Sequence, residues 1–270
     1  MHELSQIGDI LYPRNTLPQD TKVSEHALIC FCDAGKLARC QYVYLLSRIS
    51  GNVNTEWHMQ LIYAKTQVND VKVSIPNSEL DSLHQGAAIL HKVGLALPHV
   101  KRRALATDSV VACLWVRNHT LTLSTFQRHR VMNLLRLSQM EDIYHVAGKN
   151  NIADIGTKTE EPIKAVLPDS PFHQGPEFLK KGLDAAVKQG QLKPIIEIIP
   201  DRDQIREVND GLAAKCRMPW EYLISKPAET AESKEKKDTD REDRGNHNQE
   251  EAKESSKAQK KEEVQGTTRL

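Results

Sequence analysis

The chain has 270 residues, 39% apolar and 27% charged, which is enough for one sizeable buried core with segments left over. Lysine plus arginine (37) nearly balance aspartate plus glutamate (36), leaving +1, so a globally basic nucleic-acid binder is excluded and any basic surface must be local. No run is apolar enough for a membrane span or a secretory leader, and the five cysteines, odd in number and without C-x-x-C spacing, point to reduced thiols in an intracellular protein.

Residues 1–25 are polar and contain Pro13 and Pro18, which suits a linker. HALICFCD (26–33) follows, with Leu28, Cys30 and Cys32 on one side and Ile29 and Phe31 on the other, the pattern of a central strand covered on both faces. Two further β-like runs, 39–49 and 56–68, flank a turn signal at Gly51 and Asn52 and read as its antiparallel neighbours.

Pro76 suits the first position of a helix, and Leu80, Leu83, Ala87, Leu90 and Gly94 recur at helical spacing up to Pro98. RRALATD (102–108) reads as a second buried strand and SVVACLWVR as a short helix. LSTFQRHRVMNLLRLSQ (123–139) reads as a longer helix, EDIYHV (141–146) as the last strand, and a final helical segment starts near Asn151. This order describes an α/β mixed sheet with helices on its faces.

Further helices are expected at EFLKKGLDAAVKQ and REVNDGLAAKCR. From residue 229 onward Lys, Glu, Asp, Ser and Gln dominate without an aromatic, so the segment buries too little to offset ordering and is expected to be disordered.

Asp33 and Asp108 each close a central strand, where open α/β sheets place their binding crevices, and Glu79 and Asp154 enter from helix beginnings. Each acid also has an ordinary reading: Asp108 as a helix N-cap, Glu79 or Asp154 as a complement to a helix dipole. Asp33 resists one, because an acid ending a doubly covered strand is costly unless it meets a cleft or a cation. Several carboxylates in one crevice supply the hard oxygen ligands that magnesium requires.

FCDAG, IPNSELDSL, ATDSVV and HVAGKNNIADIGTK, in that order, resemble the ribonuclease H region of LTR retrotransposon polyproteins, especially the Pao/BEL group. YAKTQVNDVKVSIP and DSPFHQGPEFL (169–179) resemble flanking segments of the same family, so the resemblance spans residues 26 to 180. It implies a ribonuclease H-like five-stranded mixed sheet, with Asp33, Glu79, Asp108 and Asp154 as catalytic metal ligands for two Mg2+ or Mn2+ ions. The implied reaction is hydrolysis of the RNA strand of an RNA–DNA hybrid. His145 stands where some ribonucleases H use an auxiliary histidine, although its place in the last strand favours a structural role.

The resulting organisation is a linker (1–25), a ribonuclease H-like domain (26–160), a connection with short helices (161–228) and a charged tail (229–270). Lys101, Arg102, Arg103, Arg128, Arg130 and Lys149 are candidate phosphate contacts, against the ordinary reading of a solvated charged face. Trp57 and Trp115 are better placed for core packing than for base stacking. Nothing resembles a Tyr-x-Asp-Asp polymerase signature or an integrase zinc site, so the chain reads as a fragment of a polyprotein, a truncated gene copy or a host gene built from one; the implied partner is an RNA–DNA hybrid, with a reverse transcriptase domain of the same polyprotein as a further option. The expected compartment is the cytoplasm or a retroelement particle, with the nucleus as a further location. Three rivals stand: a decayed or domesticated module that binds nucleic acid without cutting it; an aspartic peptidase, which Asp33-Ala34-Gly35 suggests but which lacks the loop hydroxyl; and a generic α/β binding protein with accidental acids, in which Asp33 and Asp108 lie far apart.

Overall fold

The computed structural model describes residues 22–50, 56–119, 123–158 and 170–210. The turn at Gly51 and Asn52, the charged tail and most of REVNDGLAAKCR lie outside them.

Three long strands open the chain: β1 (Val23–Ala34), β2 (Ala38–Ile49) and β3 (Trp57–Val68). β1 is antiparallel to β2, and β2 to β3. β1 begins three residues before the boundary expected at residue 26, because Glu25 and His26 already pair with Arg48 and Ser47. β4 (Arg102–Thr107) lies parallel to β1, and β5 (Ile143–Val146) lies parallel to β4.

The sheet has six strands rather than the expected five, in the order β3-β2-β1-β4-β5-β6. β6 (Leu192–Pro194) adds antiparallel to β5 and covers a row of backbone groups that would otherwise stay open. Its three residues are too short to carry an alternating pattern, and Pro194, with no N–H to donate, is tolerated at a sheet edge.

One face of the sheet is covered by α1 (Ile75–Ala96), α2 (Val110–Arg117) and α3 (Thr125–Leu137). Leu28, Cys30 and Cys32 point into this layer with Leu80, Leu83, Leu105, Val131 and Leu134, and Trp115 is fully buried there. The other face, carrying Ile29, Phe31, Tyr42 and Tyr44, packs against Leu179, Leu183, Ala186 and Leu192. The core therefore extends through the described part of the segment beyond residue 160, because β1 needs apolar cover on both sides.

That cover is built from α4 (Pro171–Gln174), a 3-10 turn (Glu177–Lys181) and α5 (Leu183–Lys188), and α6 (Arg202–Asp210) follows. The helix expected as one piece over EFLKKGLDAAVKQ is broken at Gly182, whose φ of 86° halts the spiral. A side chain at Gly182 would strike the Trp57 indole, so the break also lets this segment close on β3. The thiols of Cys30, Cys32, Cys40 and Cys113 are free and buried.

Candidate functional site

Backbone topology brings the acids toward one end of the sheet. β1 and β4 run parallel with Cys32 beside Thr107, so the next residues, Asp33 and Asp108, leave adjacent strand ends. Asp33 is 6% exposed, whereas Asp108 is half-buried.

Asp108 does not cap α2. The cap is Ser109, whose hydroxyl accepts from Ala112 N at 3.1 Å, which leaves the Asp108 carboxylate available to the crevice. The same Ser109 hydroxyl donates to Glu79 Oε2 at 2.6 Å, so an acid from the first turns of α1 is held beside the end of β4. Cys113 on α2 registers both acids: burial first, then the charges of Glu79 and Asp108, push its thiol up.

Asp154 arrives on the helical segment expected near Asn151, here a 3-10 turn (Ile152–Gly156) capped by Asn151. Thr157, just after this turn, donates its hydroxyl to Asp33 Oδ2 at 2.5 Å. Lys158 pairs with Asp154. Asn151, which caps the turn, donates to Asp108 Oδ1 at 2.9 Å and to the Cys32 carbonyl at 3.1 Å.

Asp33 lies in the field of two of the other acids. Burial pushes the Asp33 carboxyl up, the Thr157 hydroxyl draws it back, and the charges of Asp108 and Asp154 push it up again, to about 6. Glu79 joins the group through Ser109. As the side chains stand, each carboxylate faces an internal donor, and among the described residues no three His, Cys, Asp or Glu side chains converge to hold a metal.

His145 lies within β5, with Nε2 3.2 Å from the Asp108 carbonyl oxygen. Burial lowers its pKa, while the Asp108 carbonyl and charge act the other way. It supports the backbone that carries Asp108.

The candidate phosphate contacts divide. Arg102 and Arg103 open β4 and Lys101 just precedes it, at the opposite end from Asp108. Arg102 is paired with Asp184 at 2.6 Å, and Arg103 lies across Gly94 of α1, where any Cβ would meet its guanidinium. Arg130 donates to Asp81 at 2.6 Å and stacks 3.3 Å over the Phe126 ring. Lys101, Arg128 and Lys149 are exposed. Lys149 follows Gly148, where an added Cβ would come 3.2 Å from Asp108 Oδ2, so of the candidates it stands next to the acids in the chain fold.

Ser109, Asn151, Thr157 and Lys158 were not singled out by sequence reasoning. All four lie inside the quoted motifs ATDSVV and HVAGKNNIADIGTK, so the signal was their adjacency to an acid.

Residues 1–109 match the family model described as the Pao retrotransposon-like RNaseH-like domain, a stretch that takes in Asp33, Glu79 and Asp108 and ends before Asp154. No curated protein matches the chain. Among solved structures, the chain is similar to RNase H1 from the halophilic archaeon Halobacterium salinarum NRC-1 at 12% identity, with 48% of this chain and 91% of that chain covered and a TM-score of 0.30. It is also similar to Thermus thermophilus RuvC at 12% identity, with 62% of this chain and 99% of that chain covered and a TM-score of 0.28. Among the described residues, no helix is long and apolar enough to cross a membrane.

Proposed function

We propose, from the Pao-type ribonuclease H-like match over residues 1–109, that the chain is a retroelement-derived nuclease that hydrolyses the RNA strand of an RNA–DNA hybrid. The observation that carries the reading is Asp33: a desolvated carboxylate at a strand end, raised to about 6, with Asp108 and Asp154 adding to its negative field. Lys158 offsets part of this field through Asp154, and the carboxylate oxygens suit a hard divalent cation in its place.

Asp33, Glu79, Asp108 and Asp154 would hold two Mg2+ or Mn2+ ions, the donor set being all carboxylate oxygen. When bound, the ions would supply activation of the attacking water and stabilisation of the leaving 3′-oxygen. The chain's own part is positional. Ser109 fixes Glu79 against the start of α2, and Thr157 orients Asp33. Lys158, exposed beside Asp154, occupies the cluster electrostatically and must give way to a cation. Lys149 and Arg128 would meet backbone phosphates, and a reverse transcriptase domain of the same polyprotein would help to hold the hybrid.

A second reading, a domain that binds nucleic acid without cutting it, is favoured by one observation: every carboxylate already faces an internal donor. Cleavage of a labelled RNA–DNA hybrid by the full chain, with magnesium or manganese, separates the two. Metal-dependent cutting that disappears in both Asp33→Asn and Asp108→Asn is expected. Hybrid binding by folded protein with no cutting in either metal would replace the nuclease reading with the second one.

A further inference from the structure

Asn151 is a buried polar side chain, 3% exposed, with both ends engaged. Its Oδ1 accepts from Ala153 N at 3.3 Å and starts the turn that carries Asp154. Its Nδ2 donates one proton to Asp108 Oδ1 at 2.9 Å and the other to the Cys32 carbonyl at 3.1 Å. Cys32 immediately precedes Asp33. A single amide therefore ties together the backbone beneath one acid, the carboxylate of a second and the turn of a third.

The chemistry of the amide matters as much as its reach. An amide has two protons in fixed directions and no net charge. It sets the rotation of the Asp108 carboxylate without neutralising it, unlike Lys158 on Asp154, so the negative charge stays available to a cation. With Oδ1 engaged by Asn151, Oδ2 is left beside Gly148, where the missing side chain keeps the space open.

We infer that Asn151 is a positioning residue for the cation site, holding Asp108 in register with Asp33 and presenting Asp108 Oδ2 outward. The inference rests on the ribonuclease reading. Partners of this kind, which orient ligands without touching the metal, change metal affinity by about ten- to a hundredfold when removed.

The test is Mn2+ binding by the full chain, followed by titration calorimetry, in the unaltered protein, Asn151→Ser, Asp108→Asn and the double variant. Serine retains an oxygen that can cap Ala153 but cannot reach Asp108. The expected result is Mn2+ affinity about ten- to a hundredfold weaker in Asn151→Ser, with no further loss when the same change is made in Asp108→Asn. Unchanged affinity in Asn151→Ser overturns the inference, as does an equal loss in both backgrounds, which marks a merely structural residue. A chain that binds no Mn2+ at all overturns the ribonuclease reading itself, and the inference with it.

A readout that needs no variant keeps the idea testable if Asn151→Ser does not fold. The side-chain amide resonances of Asn151 in the unaltered chain should shift on Mg2+ addition and saturate with binding. Resonances that stay fixed while Mg2+ binds overturn the inference.

Discussion

Ser109 Oγ stands 2.6 Å from Glu79 Oε2 and 3.1 Å from Ala112 N, so one hydroxyl both starts α2 and holds the acid of α1. Ser109→Ala removes both bonds. The loss of a cap alone is about 1 kcal/mol, and with the carboxylate bond the expected destabilisation is about 1–2 kcal/mol. Ser109→Thr, which keeps a capping hydroxyl, should recover most of it. Urea denaturation of the three proteins checks the order; equal midpoints for serine and alanine would show that the hydroxyl contributes nothing.

Gly86 lets α1 pack closely on β1. A Cβ there would fall 2.2 Å from Cys32 Sγ and 3.3 Å from Cys30 Sγ, and both cysteines are fully buried. Gly86→Ala should therefore force α1 off the sheet at a cost of about 1–3 kcal/mol, the range for overpacking. Adding Cys32→Ala should relieve part of that loss. Thermal melts of the single and double variants decide it, and additive losses would contradict the contact.

Asp81 gathers two guanidiniums: Arg130 Nε at 2.6 Å and Arg39 Nε at 3.5 Å. Burial pushes its carboxyl up, but the neighbouring His84, the hydrogen bond from Arg130 and the charges of Arg130 and Arg39 prevail and hold it down to about 2. His84 Nδ1, at 3.9 Å, acts as a nearby polar group and not as a hydrogen-bond donor. Asp81→Asn leaves Arg39 and Arg130 facing each other without the charge between them. The expected loss is about 2 kcal/mol, between the values for exposed and buried pairs. In a double-mutant cycle with Arg130→Gln the two losses should not add; full additivity would mean that the pair is uncoupled.

The division among the basic residues predicts different salt behaviour. Arg128 and Lys149 are exposed, whereas Arg102 is paired with Asp184 and stands at the far end of β4 from Asp108. Arg128→Ala and Lys149→Ala should each weaken hybrid binding and reduce the slope of log affinity against log salt by about 1. Arg102→Ala should leave that slope unchanged. Fluorescence anisotropy across a salt series measures all three, and a reduced slope for Arg102→Ala would place the hybrid at the end of β4 away from Asp108.

The sequence by itself determined the first five strands and two of the acids. An apolar run on both faces, as in HALICFC, has no stable place except the middle of a covered sheet, and an aspartate ending such a run must emerge at its edge. Asp33 and Asp108 were legible for that local reason, as was the start of α1, which falls at Ile75, one residue before the Pro76 expected to open it.

Tertiary structure alone decided how Asp33, Glu79 and Asp108 are held. The donors come from distant chain positions: Ser109 to Glu79 across 30 residues, Asn151 to Asp108 across 43, and Thr157 to Asp33 across 124. Only packing of the sheet, α1 and the last turn brings these pairs into hydrogen-bond range. The same holds for β6, whose three residues become a strand because β5 offers an open edge, and for Arg102, whose partner Asp184 arrives from α5. Periodicity reports what a segment must bury. It carries no information about which remote donor meets a buried charge, because that depends on the three-dimensional closure of the chain.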